Sequence, residues 1–217
     1  MFIGHFGAGM AAKKVEQKVS IGTYFIAAQF IDLIWPFLLL LGLEKVEIQP
    51  GLTESNPLNF THYPFSHSLL AVAGWGILVG VVYYLFKKNL KISVILGLLV
   101  LSHWILDLLV HIPDLPLLPW GNLKVGFGLW NNLTLSLTIE TIIFAAGIYL
   151  YLTSVKFSGK KDWLIFWSLI IFLYLIHLMN LFGTPPPDAQ TIGLVGLSQW
   201  IIVAWAYLAD KNTLRRG

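Results

Sequence analysis

The sequence predicts an all-α, polytopic transmembrane helix bundle of about six spans, with both termini in the cytoplasm. Three observations predict it. Hydrophobic residues make up 57% of the 217 and charged residues only 12%, where an ordinary soluble domain is about 25% charged. Apolar windows of about 20 residues recur along the chain, each long enough to cross a bilayer as a helix. Basic residues cluster in alternate connections between those windows, as the topology of a membrane protein requires.

The elements follow in order. Residues 1–12, MFIGHFGAGMAA, are apolar and small. They lack the basic start of a secretory signal peptide; two readings stay open, one in which they re-enter the bundle as a short helix of about 18 Å and one in which His5 has an unrelated role on the cytoplasmic side. The first span is expected at 22–43, kinked by Pro36. The second, 67–86, begins at His67 behind Ser66, a residue suited to an N-cap. The third, 92–112, is the most apolar, yet it carries His103, Asp107 and His111 at i, i+4 and i+8, one helical face. The fourth, 134–155, carries Glu140, and the fifth, 163–183, carries His177. The sixth, 189–209, is rich in glycine and holds Thr191, Ser198 and Gln199. Residues 1–217 read as one integral membrane domain.

Charge sets the orientation. Lys13, Lys14 and Lys18 precede the first span. Lys87, Lys88 and Lys91 follow the second, and Lys156, Lys160 and Lys161 follow the fourth. Lys211, Arg215 and Arg216 end the chain. Of the 14 basic residues only Lys45 and Lys124 fall on the other side, so the basic side is assigned to the cytoplasm. The connections 44–66 and 113–133 then lie outside, and loops of that length commonly cap a site.

Depth gathers the polar residues. A helix rises about 1.5 Å per residue, which puts His103 near the middle of its span and Asp107 about 6–8 Å further out. Asp32, Glu140 and His177 reach similar heights on other spans. His62, His67 and His111 lie at the outer boundary. An acid in this setting costs roughly 2.5–3.5 kcal/mol to insert, so residues of this kind face the bundle interior and mark sites. A bound metal ion would offset the cost; interhelical hydrogen bonds are the plainer alternative. The chain has no cysteine, so a metal site here must be built from imidazole and carboxylate. The basic loops are accounted for by topology, and no nucleic-acid partner is expected. Phosphate-loop, GxSxG and HExxH patterns are absent from the sequence.

The N-terminal GHF with His5, Asp32 in the first helical stretch, the segment HYPFSHSLL and the segment SHWILD together resemble the YdjM-like family of predicted membrane-bound metal-dependent hydrolases. That family's pattern runs from an early histidine through PDxDH and H-R-x-x-T-H-S to S-H-x-x-x-D. The resemblance spans residues 1–115, with 116–217 supplying additional helices. PDxDH is reduced here to QFIDLIWP, and Tyr63 replaces the family's arginine. The family is related to the zinc-dependent phospholipase C and nuclease superfamily, in which histidines and aspartates on packed helices hold zinc.

The resemblance implies a divalent metal, with zinc expected, on His67, His103 and Asp107. His5, His62 and His111 are further candidate ligands. Asp32 and Glu140 are candidates to complete the shell or act as general base. The implied substrate is a phosphoester or lipid met from the outer side of a bacterial inner membrane, and the partners are membrane lipids. Three other readings stay open on the residues alone. One is a structural or assembly subunit of a larger membrane complex. Another is a proton or ion transporter using Asp32, Glu140 and the histidines. The last is a haem protein using His103 and His177.

Overall fold

A computed structural model describes residues 1–215; Arg216, counted above with the basic C-terminal residues, lies outside them. Four helices are long and apolar enough to cross a membrane unbroken: α5 (Leu69–Lys87), α6 (Leu90–Val110), α7 (Leu133–Ser154) and α8 (Lys160–Phe182). A fifth span is made by α9 (Ala189–Gly196) and α10 (Gln199–Asp210) together, and a sixth by the bent pair α2 (Ile21–Ala28) and α3 (Phe30–Leu40). The all-α class and the span number are as expected. Among the described residues the remaining elements are α1 (Ile3–Val15), the single turn α4 (Pro64–His67), a 3₁₀ turn (Leu129–Asn131) and three small two-stranded ribbons: β1 (Lys45–Ile48) with β2 (Leu58–His62), β3 (Leu115–Pro116) with β4 (Lys124–Val125), and β5 (Val155–Lys156) with β6 (Leu214–Arg215).

The N-terminal segment enters the bundle as a short buried helix, α1. Ile3, His5, Phe6 and Met10 are all at most 1% exposed. Its approach to α7 depends on Gly7, where a Cβ would stand 2.7 Å from the Ile143 carbonyl oxygen. Small residues allow such backbone proximity in membrane bundles. The same device joins α5 to α6: a Cβ on Gly76 would meet the Gly97 carbonyl oxygen at 2.8 Å, and one on Gly97 would meet that of Gly76 at 2.9 Å.

Two local expectations are corrected. The first span does not kink at Pro36. It breaks at Gln29, where α2 and α3 meet at 54°. Pro36 sits inside α3, where its missing N–H leaves the Asp32 carbonyl without the usual intrahelical donor. Gln199 Nε2 donates to that carbonyl instead, at 3.3 Å. The N-cap of α5 is Ser68, whose Oγ accepts from Ala71 N at 3.3 Å. Ser66 lies in the preceding turn and has another use.

The basic loops meet at one end of the bundle. Lys91 pairs with Glu16 at 3.1 Å, and β5 pairs with β6. Lys13 Nζ, almost fully buried, donates to Asp210 Oδ2 at 2.5 Å. Asp210 also accepts from Ile21 N at 3.1 Å and from the Tyr151 hydroxyl at 2.8 Å. With its charge matched and its lone pairs occupied, this carboxylate ties α1, α2, α7 and α10 together. The β1–β2 and β3–β4 ribbons cover the opposite end.

Candidate metal centre

Five of the polar side chains converge in the half of the bundle away from the basic loops. On α6, His103 and Asp107 stand one turn apart, and His103 Nε2 lies 3.2 Å from Asp107 Oδ2. From α3, Asp32 places Oδ2 3.5 Å from His103 Nε2 and Oδ1 3.3 Å from His67 Nε2. His67, the last residue of α4, is also 3.9 Å from Asp107 Oδ2. From α1, His5 Nε2 lies 3.1 Å from the other Asp107 oxygen, Oδ1, and its ring stacks on that of His103 with centroids 3.5 Å apart. The α-amino group of Met1 donates to Oδ1 as well, at 2.6 Å. Two groups of three therefore have the geometry to hold a metal, His5–His103–Asp107 and Asp32–His67–His103, with His103 in common.

The separations suit an ion. Ligand atoms about 2.1 Å from a tetrahedral centre stand about 3.4 Å from one another. Within the two groups of three, Asp32 Oδ1 to His67, Asp32 Oδ2 to His103 and Asp107 Oδ2 to His103 are of that length, at 3.3, 3.5 and 3.2 Å, and Asp107 Oδ2 to His67, at 3.9 Å, links one group to the other. Hydrogen positions point the same way. His103 Nδ1 lies 2.7 Å from the carbonyl of Ala28, which can only accept, so Nδ1 carries the proton. This carbonyl is among the last in α2, where intrahelical partners run out. His67 Nδ1 lies 2.6 Å from Ser66 Oγ, whose hydroxyl donates to Glu44 Oε2 at 2.6 Å. The serine has one proton to give, so His67 Nδ1 is the donor there. Each Nε2 atom faces carboxylate oxygens, as a lone pair in the neutral ring or as a second N–H in an imidazolium. Two carboxylates in this setting call for positive charge among the groups, which the Met1 amino group at Asp107, a proton on an imidazole or a metal ion would each supply.

The remaining candidates are placed elsewhere. His62 is exposed on β2, opposite Lys45 across the ribbon, and joins neither ligand group. His111 shares a helical face with His103 and Asp107 only if the helix continues, and it does not. His111 is the residue that ends α6, with φ −61° and ψ 142°, and Pro113 follows it. The chain turns there, and His111 Nδ1 meets Asp114 Oδ1 at 2.9 Å while its ring packs against Trp130 at 4.2 Å. Glu140, on α7, accepts from Phe2 N at 2.8 Å and stands 3.9 Å from His177 Nδ1. Glu140, His177 and His111 lie outside both ligand groups but line the same cavity of about 640 Å³ as Asp32, His67 and Asp107.

These histidines and aspartates include the ones that carried the sequence resemblance, and a family comparison agrees. The chain matches the YdjM inner membrane protein family over residues 3–183. It belongs to that family. The YdjM match runs past the motif-bearing residues 1–115 to include α7 and α8 and stops before α9. No curated protein and no solved structure matches the chain.

Sequence reasoning missed three contributors: Glu44, the Ala28 carbonyl and the Met1 amino group. Glu44 reads as one more acid in an outer loop, yet it is 1% exposed. Its only local signal is the turn it serves, in which Pro64 opens α4 and leaves the N–H groups of Phe65 and Ser66 in need of an acceptor.

Proposed function

We propose that this YdjM family protein is a metal-dependent hydrolase whose divalent cation, zinc in the first instance, is held by His67, His103, Asp32 and Asp107. His5 supports the cluster through Asp107. The observation that carries the reading is the pair of imidazole Nε2 atoms, on His67 and His103, set 3.2–3.9 Å from two carboxylates. A cation bound there lowers the pKa of a ligand water toward about 7 and polarises a phosphoryl oxygen. Glu140, across the cavity and outside the ligand set, is the carboxylate available as general base.

The cavity also has an apolar side. Phe172, Ile176 and Met179 on α8 face Ile192 and Val195 on α9, and Met179 and Val195 are well exposed on the flank of the bundle. An opening at that level admits a membrane amphiphile sideways, its polar head toward Asp107 and its chain between α8 and α9. The substrate class that fits is a lipid phosphoester of the outer leaflet.

Elemental analysis of the detergent-purified protein tests the reading. Stoichiometric transition metal is expected, lost in His103→Ala with helical content retained. A protein free of such metal, even after incubation with Zn²⁺, would overturn it and favour a structural role for these residues as interhelical hydrogen-bonding groups.

A further inference from the structure

We propose that Glu44 is a positioning residue for His67: acting through Ser66, it fixes the imidazole tautomer that leaves Nε2 free to bind metal. The inference rests on the metal-centre reading but concerns a residue outside the ligand set. Glu44 follows α3, the helix that carries Asp32, and its backbone N–H bonds the Leu38 carbonyl of that helix at 3.2 Å. Its carboxylate is buried and divided in function. Oε1 accepts from Phe65 N and Ser66 N, both at 2.8 Å, while Oε2 accepts the Ser66 hydroxyl at 2.6 Å. Ser66 Oγ is then an acceptor toward His67 Nδ1 at 2.6 Å. Protons therefore point one way along the chain, from imidazole to hydroxyl to carboxylate. Outer partners of this kind set ligand orientation and tautomer, and removing them costs about 10- to 100-fold in metal affinity.

The two backbone donors make the inference sharp. In Glu44→Gln the amide oxygen must take the Oε1 position, because an NH₂ group there would face two N–H groups. The NH₂ then occupies the Oε2 position and donates to Ser66 Oγ. The serine proton, having lost its carboxylate acceptor, is satisfied by turning toward His67 Nδ1, which favours the imidazole tautomer with its proton on Nε2, where it competes with the metal. An isosteric change thus reverses the whole chain of hydrogen bonds.

The test uses the full chain in detergent, with Zn²⁺ affinity measured by competition against a chromophoric chelator and histidine tautomers read by ¹⁵N NMR in the metal-free protein. Glu44→Gln is expected to weaken Zn²⁺ by about 10- to 100-fold and to move the His67 proton from Nδ1 to Nε2. The double variant Glu44→Gln/Ser66→Ala, with no hydroxyl proton left to face Nδ1, binds Zn²⁺ more tightly than Glu44→Gln alone. A purely structural Glu44 would make the double variant no better than the single one. Unchanged affinity and tautomer in Glu44→Gln would overturn the inference. If the wild type binds no Zn²⁺, the metal-centre reading fails, and the metal-free NMR comparison still decides the direction of the relay.

Discussion

His62 and His67 stand five residues apart in one short segment, and their surroundings separate them completely. His62 points from a ribbon strand into solvent. His67 ends a turn whose serine and glutamate orient its ring toward Asp32. If the proposed site holds Zn²⁺, replacing His62 by alanine is expected to leave its binding within twofold of wild type, whereas His67→Ala should lower it by at least about 100-fold, because a residue that touches the ion contributes more than the outer partners whose loss costs about 10- to 100-fold. Isothermal titration of the two variants checks this. The contrast also marks what can be read from sequence at this scale. His103 and Asp107 were legible because a four-residue spacing inside a long apolar helix guarantees a shared face. His111 lines the same cavity but joins neither ligand group, because the helix ends at it and the spacing no longer sets a shared face. Glu44 was not legible at all: its role depends on a contact with Ser66, 22 positions away, and no local periodicity encodes that.

Helices here are positioned as much by what is missing from their side chains as by what is present. Gly7 lets α1 lie against the α7 backbone, and α1 is the element that delivers His5. A Gly7→Ala change introduces a Cβ 2.7 Å from a carbonyl oxygen, so α1 must move away, at a cost of about 1–3 kcal/mol for overpacking. The expected outcome is a lower melting temperature together with weaker Zn²⁺ binding, measured by thermal denaturation with and without the ion. A loss of stability with unchanged affinity would separate α1 from the site. The burial of α1 was one of two readings that its small, apolar composition left open. The break at Gln29 was not legible, because proline is the stronger signal in sequence. The proline is absorbed by a hydrogen bond from a helix 167 positions away, and the break falls where Ala28 is needed as an acceptor for His103.

The span number and the basic end of the molecule were legible from hydropathy and charge alone, since both are sums over many residues. The cavity was not, because it forms between elements from both halves of the chain. Its orientation across the membrane is directly testable, because the chain has no cysteine of its own. Single substitutions Lys88→Cys and Gly51→Cys place one thiol at each end of the bundle. With both termini cytoplasmic, a membrane-impermeant maleimide added to intact cells should label Gly51→Cys and spare Lys88→Cys. Labelling in the opposite pattern would put the cavity mouth on the cytoplasmic side.

The last helix lies beyond the part of the chain that matches the YdjM family, yet it acts as a strut. Its first residue, Gln199, holds the Asp32 carbonyl on α3, and its last, Asp210, holds Lys13 on α1. Twelve helical residues rise about 18 Å, so α10 sets a nearly fixed distance between anchor points on the two helices that carry Asp32 and His5. The region of family likeness is therefore narrower than the mechanical unit. A chain cut at residue 183 would keep every proposed ligand and lose the spacer that holds one of them, Asp32, in register with His5.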